Sequence, residues 1–263
     1  MDWYFGTDQQ VRLQKKVDEL TKWCSQTKGA VNGGRFLGTD DYNALGWERV
    51  IELIKDHGVF TFRMIPVEML DEFRASLSKH DIRFDSWNVF SADRQTIDTH
   101  TRQLVEASLP EGYALVDEKE LADAAVISAI QECMARSGVV PFTGRLLAGM
   151  SLPSVTIAIR DENGAIVGTA FGYYPYNQHS RWASTAWGGL VSVDESQRGK
   201  KLGVLINALM VRGCVEKLGA HEVQEYAAAT NKPSRRMIER SGLRLDPGVV
   251  CGIATTGAAR FTA

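Results

Sequence analysis

Apolar positions recur along this chain with two periods, and the switches between them mark out its elements. Leu13, Val17, Leu20 and Cys24 recur at helical spacing with charges between them, which predicts a helix over about 8–28. Trp47 to Lys55 predicts a short second helix. After Gly58 the run VFTFRM alternates as a strand does, with Phe60 and Phe62 out of phase with Thr61 and Arg63. Pro66 suits the first turn of a helix whose one face carries Val67, Leu70, Phe73 and Leu77. Ile82 to Phe90 predicts another strand, and 93–107 a polar helix. Between the first two helices lies KGAVNGGRFLGTDD. No apolar strand precedes it and no Gly-Lys-Ser or Gly-Lys-Thr closes it, so it reads as a flexible connection rather than a nucleotide loop.

The pattern changes at LPEGY, Leu109 to Tyr113, where proline and glycine mark a boundary. Residues 1–109 form an N-terminal α/β extension without a catalytic motif, and residues 110–263 a second unit. In that unit YALV predicts a short strand and Glu118 to Gly138 a long helix. Val155 to Tyr174 is a hairpin with Asn-Gly in its turn, Asp161 to Gly164. A strand over about 184–193, a helix over 201–218, a strand over 221–229, a helix over 232–241 and a last strand over 249–254 complete the order.

Composition narrows the class. The chain is 44% hydrophobic and 24% charged, the balance of an ordinary globular protein. A net charge of −2 gives no global field toward nucleic acid or an anionic membrane. Cys24, Cys133, Cys214 and Cys251 are scattered, without a C-x-x-C pair or a histidine at ligand spacing, so no metal site is expected. Cysteine usage and the lack of a basic, apolar leader point to a reduced, cytoplasmic setting. No apolar run approaches membrane-spanning length.

Any anion binding must then be local, and VDESQRGKKLG, Val193 to Gly203, is where it concentrates. A diphosphate needs converging backbone N–H groups, a positive helix end and no obstructing side chain. Gly199 and Gly203 let the backbone come close, and Arg198, Lys200 and Lys201 add charge. Cations at a helix start oppose the macrodipole, and make sense if an anion arrives. Downstream, TNKPSRRMIERSGL runs from Thr230 to Leu243. Together the two segments read strand–loop–helix–strand–Asn–helix–Gly-Leu. Here the sequence resembles the GNAT superfamily of acyl-CoA-dependent N-acyltransferases. RGKKLG is similar to the pyrophosphate loop Gln/Arg-x-x-Gly-x-Gly/Ala, and NKPSRRMIERSGL to the helix Asn-x-x-(Ala/Ser)-x-x-x-Tyr-Glu-x-x-Gly-Phe. The resemblance covers roughly residues 110–255.

The resemblance implies an α/β (α+β) fold, a mixed, mostly antiparallel sheet flanked by helices, and acetyl-CoA as donor. Val191 and Val193 would pair their main chain with the pantetheine arm, Arg198, Gly199, Lys200, Lys201, Leu202 and Gly203 would wrap the pyrophosphate, and Asn231, with Ser234 nearby, would contact pantetheine or the acyl-carrying end. Asn231 also suits a helix N-cap. Paired glycines weaken a strand, so Gly188–Gly189 predicts a bulge or a close approach of another backbone; a bulge there helps hold the acyl carbonyl in this family.

The pattern departs at three points. Lys201 stands where the family usually has glycine, which a helical conformation would accommodate. Ile238 stands where it usually has the tyrosine that protonates the departing thiolate. The strand from Trp182 to Val193 lacks the usual base glutamate. Replacements are sought on the strand from His221, where alternation puts Glu225 on one face and Tyr226 and Glu222 on the other. Tyr226 becomes the candidate proton donor and Glu225 the base; Glu222 reads as an exposed strand position and His221 as a surface histidine. The acceptor pocket is expected from the first helices of the second unit and the hairpin loops, among Phe142, Tyr173, Tyr174, Tyr176, Trp182 and Trp187, which core packing also explains. The N-terminal region either closes over this pocket or makes a homodimer contact. The expected activity is acetyl transfer to the primary amine of a small or amino-acid-like acceptor. The alternatives are a protein amine or a longer acyl donor, and a non-catalytic acyl-CoA-binding module.

Overall fold

A computed structural model describes residues 3–106 and 109–257. Ten strands form one sheet in the order β1-β2-β3-β10-β4-β9-β8-β7-β6-β5. They are β1 (Ala30–Asn32), β2 (Leu37–Thr39), β3 (Val59–Pro66), β4 (Arg83–Asp93), β5 (Ala114–Leu115), β6 (Ser154–Arg160), β7 (Ile166–Tyr173), β8 (Thr185–Val193), β9 (Glu222–Ala227) and β10 (Arg244–Thr255). β2–β3 and β8–β9 pair parallel; the remaining neighbours are antiparallel.

Residues on both sides of the LPEGY boundary build this sheet. β10, from the C-terminal end, runs between β3 and β4, and β4 in turn separates β10 from β9. The three largest apolar cores among the described residues cover it. Phe60, Phe62 and Phe84 pack with helices α1 (Asp8–Gln26), α2 (Tyr42–Leu45), α3 (Trp47–His57) and α4 (Leu70–Ser78). Helix α8 (Leu202–Glu216) is apolar nearly all round, because it is buried between the sheet and α5 (Arg94–Glu106). Helices α6 (Ala124–Arg136) and α7 (Gly144–Leu147) bury Ile127, Ile130, Met134 and Leu146 against Phe171 and Tyr173.

Several expectations are corrected. KGAVNGGRFLGTDD is not a loose connection: it carries β1 and β2, and Ala30, Val31 and Leu37 are fully buried. The segment that follows β7 fastens it. Asn177 Nδ2 donates to the carbonyls of Cys24, Thr27 and Ala30, and Val31 bridges to Tyr176. Pro66 both ends β3 and caps the 3-10 turn Val67–Met69 that runs into α4, one position ahead of the helical turn expected for it. The long helix expected over 118–138 is broken at Asp123, which caps α6 after a separate 3-10 turn. The last strand starts earlier than expected, at Arg244, because β4 gives its first residues a partner.

Candidate active site

The parallel pairing of β8 and β9 lasts for three residues, from Thr185↔Glu222 to Trp187↔Gln224. Beyond Trp187 the strands part. A bulge in β8 follows, between the pairs Thr169↔Ser192 and Phe171↔Gly189. It sits at Leu190, which adopts a left-handed φ of 52°, and not at the glycine pair itself. A Cβ on Gly188 would stand 2.5 Å from the Met210 side chain, and one on Gly189 2.7 Å from the Trp187 ring, so close side-chain approach accounts for the glycines.

A cavity of about 310 Å³ opens where the strands part. Val191, Ser234, Glu225 and Tyr226 all line it. Glu225 and Tyr226 point to opposite faces of β9, yet both reach the cavity because the cleft passes through the sheet between β8 and β9. Glu225 is buried on the α8 side, where its Oε1 accepts from Asn207 Nδ2 at 2.9 Å. Burial pushes its carboxyl up to about 7, against a lowering by the Asn207 hydrogen bond. Tyr226 lies on the other face, with its hydroxyl 2.9 Å from Arg63 Nη1 and 3.3 Å from Tyr176 Oη. Burial, the largest effect, raises the Tyr226 phenol well above its ordinary value, although Arg63 opposes this. Glu222 is half-buried rather than exposed, with Oε1 accepting from Gln224 Nε2 at 3.0 Å, while His221 is exposed.

The wall facing Glu225 and Tyr226 comes from the N-terminal region, not from the first helices of the second unit and the hairpin loops alone. Arg35, Thr61, Arg63 and Trp87 line it together with Phe142 and Trp187. Arg35 follows the glycines of the β1–β2 connection. Gly34, at φ +78°, lies against Phe142, whose ring carbons would stand 2.5 Å from a Cβ there. Arg63 sits at a bulge in β3: Phe62 pairs with Gly252 and Ile65 with Val250, so β3 holds one extra residue. Met64 adopts a left-handed φ of 60° at that bulge, so both Arg63 and Met64 face away from the phenylalanine core. Sequence reasoning missed both arginines. Of the six candidate aromatics, Phe142 and Trp187 line the cavity and Tyr173 and Tyr176 pack behind it. Trp182 packs near Tyr226, and Tyr174 turns away to donate to the Leu218 carbonyl at 3.2 Å.

The glycine loop leads into α8. Arg198 is extended and 59% exposed, near Glu195 at 3.9 Å. Gly199 takes φ +82°, with nothing within 4 Å of where a Cβ would stand. Lys200 Nζ donates to Tyr113 Oη and Gln197 Oε1, each at 2.7 Å. Lys201 is not helical as expected: it is the N-cap of α8 in the left-handed conformation, φ 62°, where glycine would be unstrained. No side chain caps α8, so its first N–H groups face the loop without that partner. Leu202 is buried, and Gly203 lies 3.7 Å, by its would-be Cβ, from both Val193 and Met237. Asn231 caps α9 (Lys232–Arg240), its Oδ1 accepting from Ser234 N at 3.1 Å. Ile238 is buried at the cavity edge.

No family model and no curated protein matches this sequence. Solved structures do match its fold. A GCN5-related N-acetyltransferase from Kribbella flavida is 15% identical, with a TM-score of 0.53 over 85% of this chain and 79% of that one. One from Sphaerobacter thermophilus is 18% identical, with a TM-score of 0.52 over 85% and 74%. A tandem GNAT protein from the clavulanic acid biosynthesis pathway is 13% identical, with a TM-score of 0.50 over 85% and 76%. The fold is that of the GCN5-related N-acetyltransferases. The mixed, mostly antiparallel sheet expected of a GNAT-like chain is present, and the matches reach into the N-terminal region. Among the described residues no helix is long and apolar enough to cross a membrane, and no cluster of three acidic, histidine or cysteine side chains is placed to hold a metal.

Proposed function

We propose that this GNAT-fold chain transfers an acetyl group from acetyl-CoA to the primary amine of a small, amino-acid-like acceptor. The observation that carries the reading is the cleft between β8 and β9, with Val191 and Ser234 on one side and Glu225 and Tyr226 across it. The residues ahead of α8 fit a diphosphate. The helix start lacks a side-chain cap, Gly199 leaves open space before its backbone, and Arg198, Lys200 and Lys201 supply charge. Val193, Leu202 and Gly203 complete that wall, and Asn231 fixes the turn that presents Ser234.

Acetyl-CoA supplies an activated acyl group there. This chain's own residues do the rest. Glu225, with a carboxyl near pH 7, accepts a proton from the ammonium of the acceptor and leaves the nucleophilic amine. Tyr226, kept protonated by burial, holds a proton to donate where negative charge develops. The walls hold acceptor and donor together, which accounts for much of the acceleration of such a transfer.

Ile238, buried where the family usually has its tyrosine, favours the second reading, a module that binds acyl-CoA without turnover. Two measurements decide. Acetyl-CoA raises the thermal midpoint if it binds the folded state; no shift at millimolar concentration sinks both readings. Thiol release across a panel of amines then separates enzyme from binding module. A reduced, cytoplasmic setting and a homodimer contact through the N-terminal region belong to the same proposal, the second checked by light scattering.

A further inference from the structure

Three side-chain nitrogens that line the cavity are buried without a hydrogen-bond partner: Arg35 Nε, Arg63 Nε and Trp187 Nε1. All three are N–H donors. A buried unpaired donor is costly, and a buried cation without a counter-charge more so, so native structures rarely keep either without a use. Arg63 is 4% exposed, and the charged end of Arg35 is enclosed although the residue as a whole is part-exposed. Neither forms a salt bridge among the described residues. Their faces are satisfied by aromatic rings: Arg35 lies 5.1 Å from the Phe142 centroid, and Arg63 lies 5.6 Å from Trp187 and 5.0 Å from Tyr226. Stacking holds a guanidinium in place without using its in-plane N–H groups. Arg63 Nη1 donates to the Tyr226 hydroxyl, and the Nε of each arginine is left to donate.

The same cavity carries one carboxyl, Glu225, on the other side of β9. Two guanidinium groups at one wall and a carboxyl at another complement a ligand bearing both an anion and an amine. We propose that Arg35 and Arg63 seat the carboxylate of the acceptor, which makes the acceptor an amino acid rather than a simple amine. This rests on the acetyl-transfer reading for the direction of the chemistry, while the anion seat stands on the arginines alone. Both arginines come from the N-terminal strands, and the residues assigned to the donor come from the other half of the chain. That division places the anion on the acceptor rather than on a dicarboxylic acyl donor.

The test uses the full chain and matched probes: each common amino acid, its amide, and the amine lacking the carboxylate. Turnover with acetyl-CoA is read by thiol release, and binding by thermal shift of the N-acetylated forms of the same compounds. The expected result is a preference of about ten- to a hundred-fold for the carboxylate form, the range of a charge-assisted hydrogen bond. Arg63→Gln and, separately, Arg35→Gln should cut that preference to about three-fold or less, with Arg63→Lys retaining part of it. The shift produced by acetyl-CoA reports that each variant is folded and still takes the donor. Equal binding of carboxylate and amide forms, or binding of neither, overturns the carboxylate seat and leaves the acetyl-CoA reading standing. Loss of the acetyl-CoA shift with carboxylate binding intact overturns the transferase reading and keeps the seat. Faster reaction with succinyl-CoA than acetyl-CoA, abolished by Arg63→Gln while acceptor choice is unchanged, overturns the assignment of the anion to the acceptor.

Discussion

Arg63 and Tyr226 stand 163 residues apart in sequence, yet Arg63 Nη1 donates to the Tyr226 phenol oxygen at 2.9 Å. This bond links the N-terminal strand β3 to the strand that carries both candidate catalytic residues. It orients the phenol, and Tyr226 in turn donates to Gln224 Oε1 at 3.3 Å. Tyr226→Phe removes an acceptor from a buried guanidinium, and is expected to cost about 1–3 kcal/mol of stability, read from a urea transition. If Tyr226 gives its proton to the leaving group, thiol release also falls by roughly a hundred-fold or more. The acetyl-CoA thermal shift should persist. An unchanged rate removes Tyr226 from the chemistry.

Glu225 makes stability depend on pH with a definite sign. Its folded pKa is raised from 4.5 to about 7, so between those values the folded state holds a proton that the unfolded state has lost. Stability contributed by this group is therefore fully present below about 4.5 and lost as pH rises to about 7. The full span is about 3 kcal/mol. Glu225→Gln should flatten that part of the stability profile. The same substitution should remove a rising limb of kcat centred near pH 7, and lower the plateau by about a hundred-fold. A rate profile that keeps its limb in the variant assigns the base elsewhere.

The segments legible in the sequence were those whose pattern is local. The loop before α8 and the Asn231 helix are recognisable by spacing, because each is one strand end feeding one helix start. The faces of Glu225 and Tyr226 followed from alternation. What the sequence did not reveal is that the cleft runs through the sheet and serves both faces, because the parting of β8 from β9 after Trp187 has no residue signature. Arg35 lay hidden for a different reason. β1 and β2 are three residues each, too short for periodicity, and their burial comes from partners distant in sequence: β3 beside β2, the α1 core against Ala30 and Leu37, and Tyr176 and Asn177 reaching back. Alternation sets Arg63 out of phase with Phe60 and Phe62, but the left-handed turn at Met64 carries no glycine to announce it. The insertion of β4 between β9 and β10 is a pairing between distant segments, which local propensity does not encode.

Charge at the loop before α8 should separate the diphosphate from the rest of CoA. Lys200 is held by Tyr113 and Gln197, so its ammonium is positioned rather than free, whereas Arg198 is mostly exposed. The double variant Arg198→Ala, Lys200→Ala is expected to weaken CoA by roughly ten-fold or more. A pantetheine analogue without the diphosphate should lose less than about two-fold. Isothermal titration at two salt concentrations checks this, since the CoA loss should shrink as salt rises. Equal losses for both ligands would falsify the phosphate assignment.

Lys201 tests whether the strain at that turn serves the backbone or the side chain. An L-residue in the left-handed region costs about 1–2 kcal/mol, and glycine avoids this at an entropic cost of roughly 0.5–1 kcal/mol. Lys201→Gly should therefore stabilise the chain by about 0.5–1 kcal/mol, read as a higher urea midpoint at unchanged slope. Lys201→Val should destabilise it, because a branched Cβ suits φ 62° least. If the N–H at this position is what meets the phosphate, Lys201→Gly leaves CoA affinity within about two-fold, since the N–H is retained. A ten-fold loss in that variant, with stability raised as expected, would show instead that the ammonium reaches the phosphate and that the strain is kept for the sake of that charge.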